Sequence, residues 1–460
     1  MINKYIESSI TNDPSFSSLE GFFDWYERRR KAQKFEVKII PIKDSKQWVF
    51  DSKNGNIRHH SGKFFSIEGI NVSTNFGSIP SWDQIIINQP EIGILGILTK
   101  KINGLVHFLM QAKMEPGNIN LIQLSPTLQA TQSNYKKVHK GKAPRYLEYF
   151  INSKKSKLIL DQLQPEQGGR FLKKRNRNII IEVDDDIEIH EDFYWLTLKQ
   201  IKELIKYSNI INMDSRSVIS CVPFLNEQND KRSLKKLSKY RFINSILRSK
   251  GNLNEIEIII SWLSQLKSSF FLNISKVDLS KLNNWKLDNF GVSHKNKNIF
   301  QSIFVSVNSS NREVSNWDQP LVKETQVGLI GFLIKKISGV DYFLVQAKME
   351  PGNIDKFDLS PTVCFSNYEE RIKNNSAPDF YEYFINADEK CIFFDNFQSE
   401  EGGRFYHFQN RNMLVEVQTD FKIPFNYKWL TLNQIMQLAK YGFFSIESRS
   451  LISCIDISTQ

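Results

Sequence analysis

Gln111-Ala-Lys-Met-Glu-Pro-Gly-Asn-Ile119 recurs without a change as Gln346-Ala-Lys-Met-Glu-Pro-Gly-Asn-Ile354. The agreement continues in the same order on both sides. Trp82-Asp-Gln84 answers Trp317-Asp-Gln319, Leu124-Ser-Pro-Thr127 answers Leu359-Ser-Pro-Thr362, and Gly168-Gly-Arg-Phe171 answers Gly402-Gly-Arg-Phe405. Asn176-Arg-Asn178, Trp195-Leu-Thr-Leu198 and Ser215-Arg-Ser217 return as Asn410 to Asn412, Trp429 to Leu432 and Ser448 to Ser450. An offset of about 235 residues is far longer than a solenoid period, so this is a duplicated domain packed as a pseudo-twofold pair. The repeats read as residues 1–221 and 255–460. A helical linker over 222–254 joins them, with Leu234, Leu237 and Phe242 as a weak apolar stripe in a charged run.

Around the repeated segment the pattern is that of strands. Residues 93–102 and 105–115 flank Asn103-Gly104, a strong two-residue hairpin signal, replaced by Ser338-Gly339 in the second copy. Side chains alternate along the second strand. His107, Leu109, Gln111, Lys113 and Glu115 take one face, and Phe108, Met110, Ala112 and Met114 the other. Gln123, Ser125, Thr127, Gln129 and Thr131 alternate likewise beyond Pro116-Gly117, and two neighbouring polar strips predict the lining of a polar pocket. Ser17-x-x-Glu20 predicts a capping box opening an aromatic-rich helix to about Lys31, and Thr197-x-x-Gln200 and Thr431-x-x-Gln434 predict two more. Each half is therefore α+β, with a mainly antiparallel or mixed sheet and few helices.

Composition bounds the function. Across 460 residues, 40% are hydrophobic and 24% charged, a globular balance, and the net charge is +11. That charge favours an anionic partner but is spread along the chain, so nucleic acid is not read as the partner. Met1 to Ile10 lacks a basic-then-apolar signal pattern and no apolar run approaches a membrane span, which predicts a cytoplasmic protein with no membrane partner. Cys221, Cys364, Cys391 and Cys454 form no CxxC pair, and there is no HxH or HExxH, so neither a metal nor another cofactor is expected. No P-loop or GxGxxG precedes a helix. In Gly168-Gly-Arg170 and Gly402-Gly-Arg404, paired glycines would let backbone N–H groups approach an anion beside a guanidinium fork; the alternative is a turn whose arginine meets a carboxylate. His59 and His294 hold equivalent places ahead of Phe65 and Phe300.

The run Gln-Ala-Lys-Met-Glu-Pro-Gly-Asn118, then Leu-Ser-Pro-Thr-Leu-Gln-Ala-Thr-Gln-Ser-Asn-Tyr135, then Gln-Gly-Gly-Arg-Phe171 and Asn-Arg-Asn178, closely resembles the NDP-hexose 2,3-dehydratase family over nearly the whole chain. The resemblance implies two tandem Nudix-like domains, a homodimer, and action on dTDP-4-keto-6-deoxyglucose in deoxysugar synthesis. The Arg-Glu and Glu-Glu metal box of Nudix hydrolases is missing from both halves. Between Thr362 and Ser366 the second copy is two residues shorter than the first, which favours a complete first-half site.

With a ketone at C4 the C3 proton is acidic and the C2 hydroxyl can leave by β-elimination, giving a 3,4-diketo-2,6-dideoxy sugar. This needs a base, an acid and an enolate stabiliser, but no redox cofactor. Glu115 is the candidate base, Lys113 the enolate stabiliser or phosphate contact, and Tyr135 the acid, with Glu350, Lys348 and Tyr368 as second-half equivalents. Trp82, Gln111, Asn118, Thr127 and Arg170, with Trp317, Gln346, Asn353, Thr362 and Arg404, are the candidate substrate-binding residues. Arginine would meet diphosphate, amides sugar hydroxyls, and an aromatic thymine. The diketo product would pass to a ketoreductase or aminotransferase. A non-catalytic sugar-nucleotide-binding protein and a nucleotide-sugar hydrolase are the alternatives.

Overall fold

The hairpin signal and the alternation together set the main sheet. In this computed structural model, which describes residues 3–13, 16–132, 143–151, 156–224, 237–248, 251–310 and 314–459, Asn103 and Gly104 both have positive φ (49° and 85°). So do Ser338 and Gly339 (50° and 77°). Gly93–Ile102 and Leu105–Met114 pair antiparallel through that turn, Leu98 facing Leu109 and Ile102 facing Leu105. Phe108, Met110, Ala112 and Met114 enter one core cluster while Leu109 enters another on the opposite face.

Among the described residues each half carries a seven-stranded sheet. In the first its order is Lys157–Pro165, Arg175–Glu182, Gly93–Ile102, Leu105–Met114, Phe193–Thr197, with Ile122–Ser125 and Leu128–Ala130 paired to the two central strands. Arg175–Glu182 runs parallel to Gly93–Ile102, so the sheet is mixed. The second half repeats the arrangement around Gly328–Ile337 and Val340–Met349. The fold is α+β, as read.

Two smaller five-stranded sheets tie the halves together by exchange. Phe35–Ile40, from the first half, pairs with Gln301–Ser309 of the second (Phe35 opposite Ser309). Leu272–Val277, from the second, pairs with Ser66–Thr74 of the first (Leu272 opposite Thr74). Each small sheet therefore takes one strand from the other half. The largest apolar cluster also crosses the divide, placing Phe22, Phe108 and Ile201 with Phe332, Phe343 and Leu430.

The Ser-Arg-Ser motifs lie on two packed helices, Met213–Ile219 and Ile446–Ser453. Arg216 and Arg449 are the largest fully buried side chains among the described residues. Arg216 donates to Ser450 Oγ (2.8 Å) and to the Ser399 carbonyl (2.5 Å); Arg449 donates to Ser217 Oγ (3.1 Å) and to the Pro165 carbonyl (2.7 Å). A buried guanidinium is tolerable only when its donors are met, and here each half supplies acceptors for the other beside one carbonyl of the arginine's own half, Ile211 for Arg216 and Phe444 for Arg449.

Helix starts follow the expected chemistry, with one correction. Thr197 with Gln200 and Thr431 with Gln434 form full capping boxes. The helix Leu19–Ala32 is capped by Ser18 rather than Ser17: Ser18 Oγ accepts from Gly21 N at 3.0 Å. Ser17 is drawn instead to the buried amide of Gln200, donating to its Oε1 at 3.1 Å. Within the linker range, Leu237, Phe242, Ile243 and Ile246 belong to the large core, and Ile243–Leu247 is helical. Ser245 donates to the Asp341 carbonyl and accepts from Leu432 N, as Ser8 does with Val106 and Leu198. These two serines are structural counterparts, while residues 225–236, with most of the charged run, lie outside the described residues.

Candidate active site

The strand Leu105–Met114 delivers Lys113 inward, and Glu115 follows just before the chain reverses at Pro116-Gly117. That turn packs against the other half. Gly117 N donates to the Gly402 carbonyl at 2.7 Å, and His407 N to the Gly117 carbonyl at 2.8 Å. A Cβ at Gly117 would stand 1.6 Å from the Phe405 carbonyl oxygen. The mirror contacts join Gly352 to Gly168 and Lys173. The repeated Pro-Gly-Asn and Gly-Gly-Arg-Phe motifs are thus partners across the pseudo-twofold, and their glycines serve backbone approach there.

This contact brings Gly403, Arg404 and Glu401 of the second half against Lys113 and Glu115 of the first. Together they border a cavity of about 430 Å³, large enough for a small-molecule ligand. Its remaining wall includes Gln129, Lys174 and Asp214, and its aromatic side is built from Trp48, His59, Phe64, Phe65 and Trp317. The site is composite, not confined to the first half, because the strand-end turn of one copy meets the glycine loop of the other.

Inside it, Glu115 is 5% exposed. Its Oε1 accepts from Gln129 Nε2 at 3.0 Å and lies 3.5 Å from Lys113 Nζ. Among the described residues its Oε2 has no hydrogen-bond partner. Gln129 is itself oriented: its Oε1 accepts from Asn212 Nδ2 at 3.2 Å, and Asn212 Oδ1 accepts from Ser215 N at 2.8 Å as the helix cap. The backbone N–H fixes which end of each amide is oxygen, so Gln129 presents its NH2 group to the carboxylate.

Acidic groups crowd the floor. Burial, then the charges of Glu401, Glu166 and Glu115, holds Asp214 well above the usual carboxyl range. Burial likewise raises Glu401 although Arg404 opposes it, and raises Glu166, to which Asn176 donates at 2.6 Å. Burial pulls the Lys174 ammonium down against the pull of Glu166 and Glu401. Arg404 donates to Gln89 Oε1 (3.2 and 3.1 Å) and to the Gly403 carbonyl (2.7 Å), and its guanidinium lies 4.2 Å from the Phe65 ring centroid. Trp317 donates to Gln319 at 2.8 Å, and Gln319 to the Gly403 carbonyl at 2.8 Å, so the Trp-Asp-Gln motif anchors the glycine loop.

The sequence profile of the NDP-hexose 2,3-dehydratase family matches residues 19–222 and again 256–455. The chain belongs to this family. It is 38% identical over 462 residues to a dTDP-4-dehydro-6-deoxy-alpha-D-glucopyranose 2,3-dehydratase of Saccharopolyspora spinosa, covering 98% of this chain and 94% of that protein. A protein of the same name from Amycolatopsis orientalis is 38% identical over 456 residues (98% and 92%), and one from Streptomyces violaceoruber 36% over 443 (95% and 96%).

Of the residues singled out from sequence, His59, Lys113, Glu115, Trp317 and Arg404 border this cavity. Tyr135 lies outside the described residues, as does the side chain of Tyr368. Thr127 and Thr362 do not border the cavity; both are buried between strands, Thr127 Oγ1 accepting from Leu98 N and Thr362 Oγ1 from Leu333 N, each at 2.9 Å. Asn118 and Asn353 close their own turns, donating to the Leu121 and Lys356 carbonyls at 2.9 and 3.1 Å. Gln111 and Gln346 are half-buried on their strands and border no part of the cavity. The arginines of the Asn-Arg-Asn motifs pair at the surface, Arg177 with Asp161 and Arg411 with Asp395.

Trp82, Arg170, Lys348 and Glu350 belong to the related place on the other side, where the surroundings differ. Arg170 is bound to Glu324 at 2.6 Å and stacks 3.7 Å over Phe300, so its charge is met by a carboxylate where Arg404 has the neutral Gln89. By strand register Cys364 and Phe365 stand where Gln129 and Ala130 stand. The alignment puts Phe408 in place of Lys174, Ser445 in place of Asn212 and Gln167 in place of Glu401. Phe408 is 7% exposed in an apolar cluster, and Arg371 lies 5.1 Å over Phe365.

Lys174, Asp214 and Glu401 were not found from sequence. Asp214 had a faint signal, since an acid (Glu447) precedes Ser-Arg-Ser in the second copy too. Lys174 and Glu401 had none, because Lys174 is brought to the cavity only by the folding of its own half and Glu401 only by packing across the halves.

Proposed function

We propose that the chain is a dTDP-4-keto-6-deoxyglucose 2,3-dehydratase whose working site is this composite cavity. The observation that carries the reading is Glu115. It is a buried carboxylate held by an oriented amide and an ammonium through one oxygen, with the other oxygen unpartnered among the described residues. Such an oxygen suits removal of the C3 proton. Lys113, 3.5 Å away, stabilises the negative charge that moves to the C4 oxygen. Arg404, set beside a neutral amide, meets the diphosphate, and Trp317 offers a face to thymine. The product is the 3,4-diketo-2,6-dideoxy sugar nucleotide, passed on to a ketoreductase or aminotransferase.

Each half is read as a Nudix-like domain, and two chains as a homodimer, following the family resemblance. Four unpaired thiols support a reducing, cytoplasmic setting. Among the described residues no helix is long and apolar enough to cross a membrane.

The test is incubation with dTDP-4-keto-6-deoxyglucose in deuterated buffer. Loss of the C2 hydroxyl with deuterium arriving at C2, abolished by Glu115→Gln, is the expected result. Tight binding without turnover would favour the non-catalytic reading, and release of a sugar phosphate would favour a hydrolase.

A further inference from the structure

We propose that Asp214 is the acid that protonates the departing C2 hydroxyl. This rests on the dehydratase reading of the same cavity and adds a residue to it.

Three geometric facts support the assignment. Asp214 borders the cavity that holds Glu115. It is 3% exposed, and its Oδ1 is buried with no hydrogen-bond partner among the described residues. The turn that carries it is pinned to Glu115 by the chain of amides: Glu115 Oε1 to Gln129 Nε2 at 3.0 Å, Gln129 Oε1 to Asn212 Nδ2 at 3.2 Å, and Asp214 two residues on. Two carboxyl groups therefore border one cavity, each with one oxygen lacking a partner among the described residues.

Their surroundings divide the roles. Glu115 has the Lys113 ammonium and the Gln129 amide donor beside it. Asp214 is enclosed by burial and by Glu401, Glu166 and Glu115, which outweigh the Lys113 ammonium and hold the proton on it. A carboxyl whose surroundings hold its proton, beside one that accepts from an amide and lies against an ammonium, makes an acid and base pair. Glu401 is less suited, because Arg404 and Lys174 lie close enough to offset its charge.

The step balances without a co-reactant. Glu115 takes the C3 proton, the C3–H pair forms the enolate, and the C2–O bond breaks as Asp214 delivers its proton, releasing water. The C2=C3 enol then loses its hydroxyl proton to the Asp214 carboxylate while Glu115 returns a proton to C2. Both groups finish as they began.

The experiment separates the two proton transfers. Substrate in deuterated buffer is followed for hydrogen exchange at C3 and for loss of the C2 hydroxyl. Asp214→Asn is expected to exchange C3 within a few-fold of the parent while elimination falls at least about 100-fold. Asp214→Glu, which the second copy accommodates as Glu447, is expected to keep elimination within about tenfold. Elimination at the parent rate in Asp214→Asn overturns the proposal. So does loss of exchange together with elimination, or Tyr135→Phe alone giving exchange without elimination. Inactivity in Asp214→Glu also overturns it when dTDP binding shows the variant is folded. Failure of the parent protein to dehydrate would instead sink the dehydratase reading, and elimination by Glu115→Gln would sink the base.

Discussion

The two repeated arginines make opposite predictions under substitution. Arg404 borders the cavity and faces the neutral Gln89, whereas Arg170 is paired at 2.6 Å with Glu324, whose side chain is 3% exposed. If Arg404 makes two charge-assisted bonds to diphosphate, at the low end of about 1.5 kcal/mol each, Arg404→Ala removes about 3 kcal/mol of binding. At 1.4 kcal/mol per decade this raises the Kd for dTDP about 100-fold. Stability falls less than in Arg170→Ala, since Glu401, the carboxyl whose charge Arg404 offsets, keeps Lys174 nearby and burial favours its neutral form. Arg170→Ala leaves dTDP affinity unchanged but abandons a buried carboxylate, at a cost of about 3 kcal/mol of stability. Calorimetric titration with dTDP and thermal melts of both variants check the crossed pattern. Equal loss of affinity in the two variants, or loss only in Arg170→Ala, would refute the reasoning that one side is built for the anion and the other is neutralised.

Gly117→Ala should cost roughly 3 kcal/mol or more and sharply lower the melting temperature, because its Cβ would meet the Phe405 carbonyl; Gly104→Ala, in open space at φ 85°, should cost only about 1 kcal/mol. Similar melts for the two would undo the claim that the Pro-Gly turn is a cross-half contact. Lys202 is buried, with burial driving its pKa down to about 8 from the usual lysine value, and Met436 holds its place in the second half. Below pH 8 the folded state bears the cost of that charge; from there to the unfolded lysine pKa the unfolded chain binds more protons, so stability rises with pH. Lys202→Met should therefore stabilise by about 2 kcal/mol at pH 7, the lost bond to the Ser453 carbonyl offsetting part of the gain, and the gain should fade above pH 8. Denaturant melts at pH 7 and pH 10 check this, and a gain independent of pH would contradict it.

The sequence carried much of this protein plainly. Alternation placed Phe108, Met110, Ala112 and Met114 in the core opposite Leu109, Asn103-Gly104 closed the hairpin, and Thr197 and Thr431 capped their helices. Such features depend on residues a few positions apart, whose periods and dihedral preferences are written locally. Lys113 and Glu115 were legible for the same reason, being two residues apart on one face of one strand.

What a surface packs against is not local. Nothing near Phe35–Ile40 or Leu272–Val277 says that these strands exchange sheets, because an edge strand pairs equally well by backbone with any open edge of matching pattern. Nothing near Gly402 says that its carbonyl receives Gly117 N. Motifs that looked like ligand contacts have structural work instead: Thr127 ties strands within its half, Asn118 closes its own turn and the paired glycines join the two copies, since a buried polar group or a missing Cβ serves packing as readily as binding. The sequence by itself determined the duplication, the faces of the strands and the Lys113–Glu115 pair. Only the tertiary structure decided that Arg404 and Glu401 of the other half complete the cavity with Lys174 and Asp214. Long-range packing sums many weak contacts that no short window contains.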